Sequence, residues 1–176
     1  MLTLILGGAR SGKSRLALQR AEATAQPVCF IATAQAHDAE MADRIARHQA
    51  ERPAHWVTVE APLDVAGAIR TAPSGIVVVD CLTLWLTNWL CQPEHDDFSK
   101  DFSTARAALF AALQAHHADE IILVSNETGL GIIPLGALTR RFVDEAGWLN
   151  QDIARIADKV IFVAAGLPLT LKGNPR

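Results

Sequence analysis

The sequence contains no tyrosine, few other aromatic residues and no excess of positive charge. Aromatic residues make up 6% of the 176 residues, and the formal net charge is −3. A chain with this balance has no positive field that would attract nucleic acid or an anionic membrane surface. The composition therefore argues against a nucleic-acid-binding protein and against a polybasic membrane anchor.

Cysteine is scarce, and long apolar runs are absent. The three cysteines are Cys29, Cys81 and Cys91, an odd number without a C-x-x-C pair. Disulfide frameworks and zinc sites use paired cysteines, so we expect reduced, mostly buried thiols in a cytoplasmic protein. No apolar run approaches the roughly 20 residues that a membrane-spanning helix needs, and no segment has the form of a signal peptide.

Short apolar runs alternate with helical patterns along the chain. Four of the strand runs are continuously apolar, which is typical of strands buried on both faces of a mainly parallel sheet. The sequence therefore predicts one α/β domain over residues 1–172, with helices on both faces of the sheet and a tail at 173–176. The predicted strands are 2–6, 28–32, 56–60, 76–80, 120–125 and 160–164, with an edge strand at 169–172, and the predicted helices are 13–25, 38–51, 63–70, 82–90, 101–117 and 135–157.

The most informative stretch follows the first predicted strand. It reads Gly7-Gly8-Ala9-Arg10-Ser11-Gly12-Lys13-Ser14, which is G-x-x-x-x-G-K-S between a strand and a helix, the context of a phosphate-binding P-loop. Glycines allow backbone N–H groups to approach phosphate oxygens, and the start of the following helix adds the positive end of its dipole. Lys13 would contact the β- and γ-phosphates, and the Ser14 hydroxyl would reach Mg²⁺.

A carboxylate ends the fourth predicted strand. Ile76-Val77-Val78-Val79-Asp80 is an apolar run followed by an acid, the form of a Walker B element. Asp80 could bind Mg²⁺ opposite the phosphates, or it could cap the helix that follows. The two roles are compatible, and we favour the metal role beside Ser14.

The helix at 38–51 carries a histidine on its apolar side. Met41, Ile45 and His48 recur at helical spacing, and Pro53 follows the helix. Such a histidine is either a packed core residue or a nucleophile, because a neutral imidazole attacks phosphorus well near pH 7. A second histidine, His55, lies a few residues further on.

Five segments, taken together and in order, resemble one family. They are residues 7–14, Ile31-Ala32-Thr33-Ala34, Arg44-Ile45 with His48, Arg52-Pro53-Ala54-His55-Trp56, and Asn126-Glu127 leading into Gly129-Leu130-Gly131. The chain is similar, from residue 2 to about 172, to the bifunctional adenosylcobinamide kinase / adenosylcobinamide-phosphate guanylyltransferase family. The resemblance implies a P-loop domain of the RecA-like type, the substrates adenosylcobinamide and GTP or ATP, Mg²⁺ as cofactor, and a homotrimer.

The resemblance also implies two reactions and a set of site residues. The family phosphorylates the aminopropanol hydroxyl of adenosylcobinamide and then transfers GMP from GTP to that phosphate through a guanylylated histidine. By position the histidine corresponds to His48, with His55 as the competitor. The implied nucleotide contacts are Gly7, Gly8, Ala9, Arg10, Ser11, Gly12, Lys13, Ser14, Ala32, Thr33, Ala34, Gln49, Ala50, Glu51, Arg52, Glu60 and Asp80.

Two positions depart from the family pattern, and two other functions stay open. Asp80 stands where relatives often have Glu, and Arg47 where relatives can have a second histidine. The residues alone also allow a simple P-loop kinase for another small substrate, with His48 structural, or a GTP-binding switch. The switch is disfavoured because no N-K-x-D motif is present. We interpret residues 126–134 as a loop that touches the corrinoid.

Overall fold

A computed structural model of the chain describes residues 1–36, 38–50, 52–92 and 98–174. Strands and helices alternate through most of this length. The strands are β1 (Leu2–Gly7), β2 (Val28–Ala32), β3 (Val57–Glu60), β4 (Ile76–Asp80), β5 (Glu120–Asn126), β6 (Lys159–Ala164) and β7 (Leu167–Lys172). The helices are α1 (Lys13–Glu22), α2 (Ala39–Ala50), α3 (Val65–Thr71), α4 (Leu82–Leu90), α5 (Phe98–Ala115) and α6 (Ala137–Ile156).

The strands form one sheet in the order β3-β2-β4-β5-β1-β6-β7. Strands β1 to β6 pair in parallel, and β7 joins β6 antiparallel. Strands β1, β4 and β5 lie in the middle and are buried along almost their whole length. This burial explains their continuously apolar sequences and confirms the prediction of a mainly parallel sheet.

Helices cover both faces of the sheet, as predicted. Alternate strand residues point to opposite faces, so Leu4 packs in one core and Ile5 in the other. The larger core contains residues of α3, α4, α5 and α6, and the smaller one contains Ala17 and Ala21 of α1. No helix in the described part of the chain is long and apolar enough to cross a membrane.

Several predicted boundaries were wrong by a few residues. Helix α1 ends at Glu22 instead of residue 25, because the chain turns there and Ala25 has a φ of 54°. Helix α5 begins at Phe98, three residues before the predicted start at 101, and the Phe98 ring stacks on Phe102 with centroids 5.2 Å apart. Strand β7 begins at Leu167 and tolerates Pro168 because it is an edge strand.

The carboxyl ends of the parallel strands meet at one edge of the sheet. In register, Ala32 lies beside both Glu60 and Asp80, and Gly7 lies beside Asn126. Asp80 continues the alternation of Ile76 and Val78, which pack in the α1-side core. The ends of β1 to β5 therefore bring polar side chains to the side of the sheet that carries α1.

Candidate nucleotide site

The P-loop motif forms the turn between β1 and α1. Gly12 has a φ of 98° and Arg10 a φ of 55°, and a Cβ on Gly7 would lie 2.5 Å from the carbonyl oxygen of Val163. Glycine is therefore required at both positions 7 and 12. Helix α1 starts at Lys13 without a side-chain cap, so its first N–H groups are available to an anion.

Lys13 lies at the base of this turn. Its side chain is buried, and its ammonium donates a hydrogen bond to the Gly8 carbonyl at 3.2 Å. The turn thus combines a cation, a helix N-terminus and left-handed backbone in one place. This combination binds phosphate groups in proteins.

Ser14 and Asp80 join the P-loop to the end of β4. β5 separates β4 from β1 in the sheet, yet the Ser14 side chain hydrogen-bonds the Asp80 carboxyl group. Burial raises the pKa of Asp80, and the Ser14 hydrogen bond and the charges of His48, Lys13 and Arg52 oppose that rise. Asp80 is thus a desolvated carboxylate surrounded by cationic groups.

Helix α2 forms a wall of the site and is largely exposed. Met41, Ile45 and His48 are partly buried and line the same cleft as the ends of β2, β3 and β4. The stripe predicted from helical spacing is therefore the face of α2 that lines the site. His48 lies close enough to Asp80 for its charge to affect that carboxyl group.

Arg52 ties the end of α2 to the sheet. Its Nε donates to the His48 carbonyl at 2.9 Å, and its Nη1 donates to Thr58 Oγ1 at 3.3 Å. The guanidinium lies 4.0 Å above the centroid of the Phe30 ring. Burial lowers the pKa of Arg52, while the carboxylates of Asp80 and Glu60 raise it.

Two clefts meet at Lys13, Ser14 and His48. The inner cleft has a volume of about 130 Å³. The outer cleft lies along the P-loop and is lined by Arg10, Arg15 and Arg47 as well as by the three shared residues. The inner cleft is lined by Lys13, Ser14, Phe30, Ala32, Ala34, Met41, Ile45, His48, Gln49, Arg52, Glu60, Asp80, Cys81, Leu84 and Asn126.

The sequence model of one protein family, described as cobinamide kinase / cobinamide phosphate guanyltransferase, matches residues 3–171. The chain belongs to this family. It is 55% identical to the bifunctional adenosylcobalamin biosynthesis protein CobP of Pseudomonas aeruginosa, with 99% of each chain covered. It is 40% identical to the bifunctional protein CobU of Salmonella typhimurium, with 98% of this chain and 100% of that protein covered.

Solved structures with little sequence identity share the fold. A protein of Pyrococcus horikoshii OT3 aligns with a TM-score of 0.56 at 6% identity, over 99% of this chain and 87% of that one. An ATPase of a bacterial type III secretion system aligns with a TM-score of 0.54 at 11% identity, over 96% of this chain and 57% of that one. These likenesses support the P-loop α/β fold of this cobinamide kinase / cobinamide phosphate guanyltransferase family member.

The structure brings most of the sequence-predicted site residues into the two clefts of this family member. Ala32, Ala34, Gln49, Arg52, Glu60 and Asp80 line the inner cleft, and Arg10, Ser11 and Gly12 line the outer cleft. Glu51 lies outside the described residues. Gly7, Gly8 and Ala9 form the turn itself and line neither cleft.

Thr33 and Ala50 are not brought into the clefts. Thr33 is fully buried, and its hydroxyl accepts from the Cys81 N–H and donates to the Cys81 carbonyl, both at 2.8 Å. Its side chain therefore holds the start of α4 rather than facing a ligand. Ala50 is exposed at the end of α2, and His55, the competing histidine, is exposed and lines neither cleft.

Sequence reasoning missed Phe30 and misplaced Asn126. Phe30 lies in a continuously apolar strand, so its residue type indicated core, although alternation with Ala32 puts both on the α1 side of the sheet. Asn126 was assigned to a loop, but it is the last residue of β5 and lines the inner cleft. The same alternation, counted from Val124, was the signal that could have placed it.

Proposed function

We propose that this chain phosphorylates the aminopropanol hydroxyl of adenosylcobinamide and then transfers GMP from GTP to that phosphate, both at one nucleotide site. The observation that carries the proposal is that His48 lines both clefts together with Lys13. A triphosphate on the P-loop would then have one cation for its outer phosphates and one imidazole for its inner phosphate.

In the phosphorylation step, the substrate alcohol attacks the γ-phosphorus. Phosphoryl transfer depends mainly on positioning and on neutralising charge. Lys13 and the N-terminus of α1 supply the fixed positive charge, and the buried setting of Lys13 strengthens its interaction with a phosphate. No side chain needs to form a covalent bond in this step.

In the guanylyl transfer, the His48 imidazole attacks the α-phosphorus and pyrophosphate leaves. A phosphate oxygen of the phosphorylated substrate then attacks the same phosphorus and releases the histidine. The covalent route divides the transfer into two displacements, so the bulky acceptor need not be present when GTP is cleaved. Arg52 supports it because its bond to the His48 carbonyl holds the end of α2 against the sheet.

The far end of the inner cleft suits a guanine base. The Arg52 guanidinium lies over the buried Phe30 ring there and offers a flat surface, and Glu60 ends the neighbouring strand. A carboxylate accepts hydrogen bonds only, and the N1 and N2 edge of guanine donates them, whereas adenine has no such pair of donors. We therefore assign Glu60 to guanine recognition.

Ser14 and Asp80 fit a magnesium ion that accompanies the nucleotide. Hydroxyl and carboxylate oxygens are the ligands that Mg²⁺ prefers, and the ion usually takes one or two protein ligands, several waters and the phosphates. The described residues contain no cluster of three or more acidic, histidine or cysteine side chains that could hold a metal without the nucleotide. The ion would neutralise charge that develops on the phosphates.

We also propose that the chain is a cytoplasmic homotrimer. Among the described residues Cys29, Cys81 and Cys91 are free, which fits a reducing compartment. Three leucines of β7 are more than half exposed at the edge of the sheet, and exposed apolar patches of this kind are typical of subunit interfaces. Sedimentation equilibrium should give about 57 kDa, three times the 19.0 kDa of the chain, and a mass of one chain would contradict the trimer.

Labelled GTP tests the assignment of the nucleophile. With GTP labelled at the α-phosphate, the wild-type protein should retain label after denaturation, and His48→Ala should retain none while keeping measurable kinase activity. His55→Ala is the matched control, because His55 is exposed and lies outside both clefts. If His48→Ala is labelled as well as wild type, the nucleophile is another residue. If the wild-type protein and both variants all retain no label, the chain acts as a simple kinase.

A further inference from the structure

Asn126 ends the strand that lies between the P-loop strand and the Asp80 strand. β5 pairs with β1 on one side and β4 on the other, and Asn126 is in register with Gly7. It continues the alternation of Ile122 and Val124, which pack in the α1-side core. The side chain therefore lies on the P-loop side of the sheet, and it lines the inner cleft with Lys13.

The amide oxygen of this side chain is buried without a partner. Asn126 Oδ1 is inaccessible to solvent and has no hydrogen-bond partner among the described residues. Its main-chain carbonyl accepts a hydrogen bond from Asn150 Nδ2 at 3.4 Å, which helps to fix the end of the strand. Buried polar atoms without partners are uncommon in folded proteins, and at a cleft such an atom can be completed by a ligand, a water or an ion.

The chemistry of the missing partner follows from the chemistry of the amide oxygen. An amide oxygen only accepts hydrogen bonds, and the oxygens of an ionised triphosphate also only accept them. The partner must therefore be a donor. In the phosphorylation step, the donor that has to approach the γ-phosphate beside Lys13 is the hydroxyl of the substrate alcohol.

We propose that the Asn126 side chain turns its Oδ1 into the cleft when the substrate binds, accepts a hydrogen bond from that hydroxyl and holds its oxygen in line with the γ-phosphorus. This inference rests on the proposed kinase reaction and adds a residue that contacts the acceptor. The hydroxyl oxygen forms the new bond to phosphorus, and the bond from phosphorus to the bridging oxygen breaks, with its electron pair remaining on the nucleoside diphosphate. The hydroxyl proton passes to solvent, and Asn126 keeps its own protonation state.

The test compares two reactions of the same variants. For Asn126→Ala we expect the kinase kcat with adenosylcobinamide to fall roughly 10- to 100-fold, as for the loss of one positioning hydrogen bond. The rate at which GTP labels the protein should fall by a smaller factor than the kinase kcat, because that reaction involves no acceptor hydroxyl. Asn126→Asp has an oxygen at both terminal positions of the side chain, so it keeps an acceptor at the position of Oδ1. This variant should recover part of the kinase kcat relative to Asn126→Ala.

Ser125→Ala is the matched control. Ser125 is the preceding residue of β5, and its Oγ is also buried without a partner among the described residues, but it points to the opposite face and lines neither cleft. This variant should leave both rates near wild type. Labelling of the protein by GTP also reports that each variant folds.

Two results would overturn the proposal. One is a kinase kcat for Asn126→Ala equal to that of Ser125→Ala. The other is an equal fall in both reactions together with a higher Mg²⁺ requirement, which would mean that the amide holds a metal-bound water instead. Failure of the histidine route is a separate result, because it would abolish protein labelling in the wild type and leave the kinase comparison intact.

Discussion

Replacing Arg52 should slow guanylylation of the protein more than it slows the kinase step. The guanidinium makes one short hydrogen bond, to the His48 carbonyl at 2.9 Å, and stacks 4.0 Å from the Phe30 centroid. A hydrogen bond to a charged group contributes about 1.5 kcal/mol at the lower end of its range. The cation–π contact with the buried Phe30 ring adds at least about 0.5 kcal/mol.

The sum of about 2 kcal/mol corresponds to a rate about 30-fold lower if both contacts are needed in the transition state. Rapid-quench measurement of protein-bound GMP formation should therefore show this loss for Arg52→Ala. Arg52→Lys should recover only part of it, because an ammonium lacks the planar fork of the guanidinium. The kinase rate should fall less, since Lys13 and the turn at residues 7–14 do not depend on Arg52.

An exposed arginine away from both clefts provides the control. Arg70, near the end of α3, meets this condition, and Arg70→Ala should form protein-bound GMP at the wild-type rate. If Arg52→Ala matches Arg70→Ala, then α2 is held in place without Arg52, and the account of how His48 is positioned is refuted.

Two further predictions concern the buried ionisable groups. Burial raises the pKa of Asp80 in the folded protein above its value in the unfolded chain. Protonation of Asp80 therefore stabilises the folded protein in acid, and this stabilisation is lost as the pH rises through the raised pKa. Asp80→Asn should therefore raise the melting temperature of the unliganded protein at pH 7, with a smaller difference in acid, while it lowers kinase activity; an unchanged or lower melting temperature at pH 7 would contradict this. Burial also raises the pKa of Cys29, and raises that of Cys81 to about 11, so iodoacetamide at pH 8 should alkylate the exposed Cys91 and spare the other two. Peptide mapping of the native protein checks this, and rapid modification of Cys81 would show that α4 opens.

The parts of the site that depend on local sequence were predictable. The turn at residues 7–14 needs glycine at particular backbone angles, and Asp80 ends an otherwise apolar strand, so both leave signals in the sequence. The stripe of Met41, Ile45 and His48 also follows from helical spacing alone. These elements are specified by residues close to one another in the chain.

The remaining parts depend on contacts between distant segments. Phe30 has the residue type of a core position, and its contact with Arg52 joins two segments that are 22 residues apart in the chain. Thr33 lies in a family motif, but its hydroxyl turns to the backbone of Cys81, which is 48 residues away. The resemblance to the family favoured His48 over His55 as the nucleophile. In the structure α2 places His48 in both clefts, while His55 is exposed and lies outside them.

The stereochemical course of GMP transfer tests most directly whether the transfer passes through a covalent intermediate on His48. The substrate would be a single diastereomer of GTP in which sulfur replaces one non-bridging oxygen of the α-phosphate. It would react with adenosylcobinamide phosphate, and the configuration at phosphorus in the product would be determined. Two successive in-line displacements, one by His48 and one by the acceptor, predict net retention at phosphorus. Net inversion would mean a single direct displacement, and His48 would then have no covalent role.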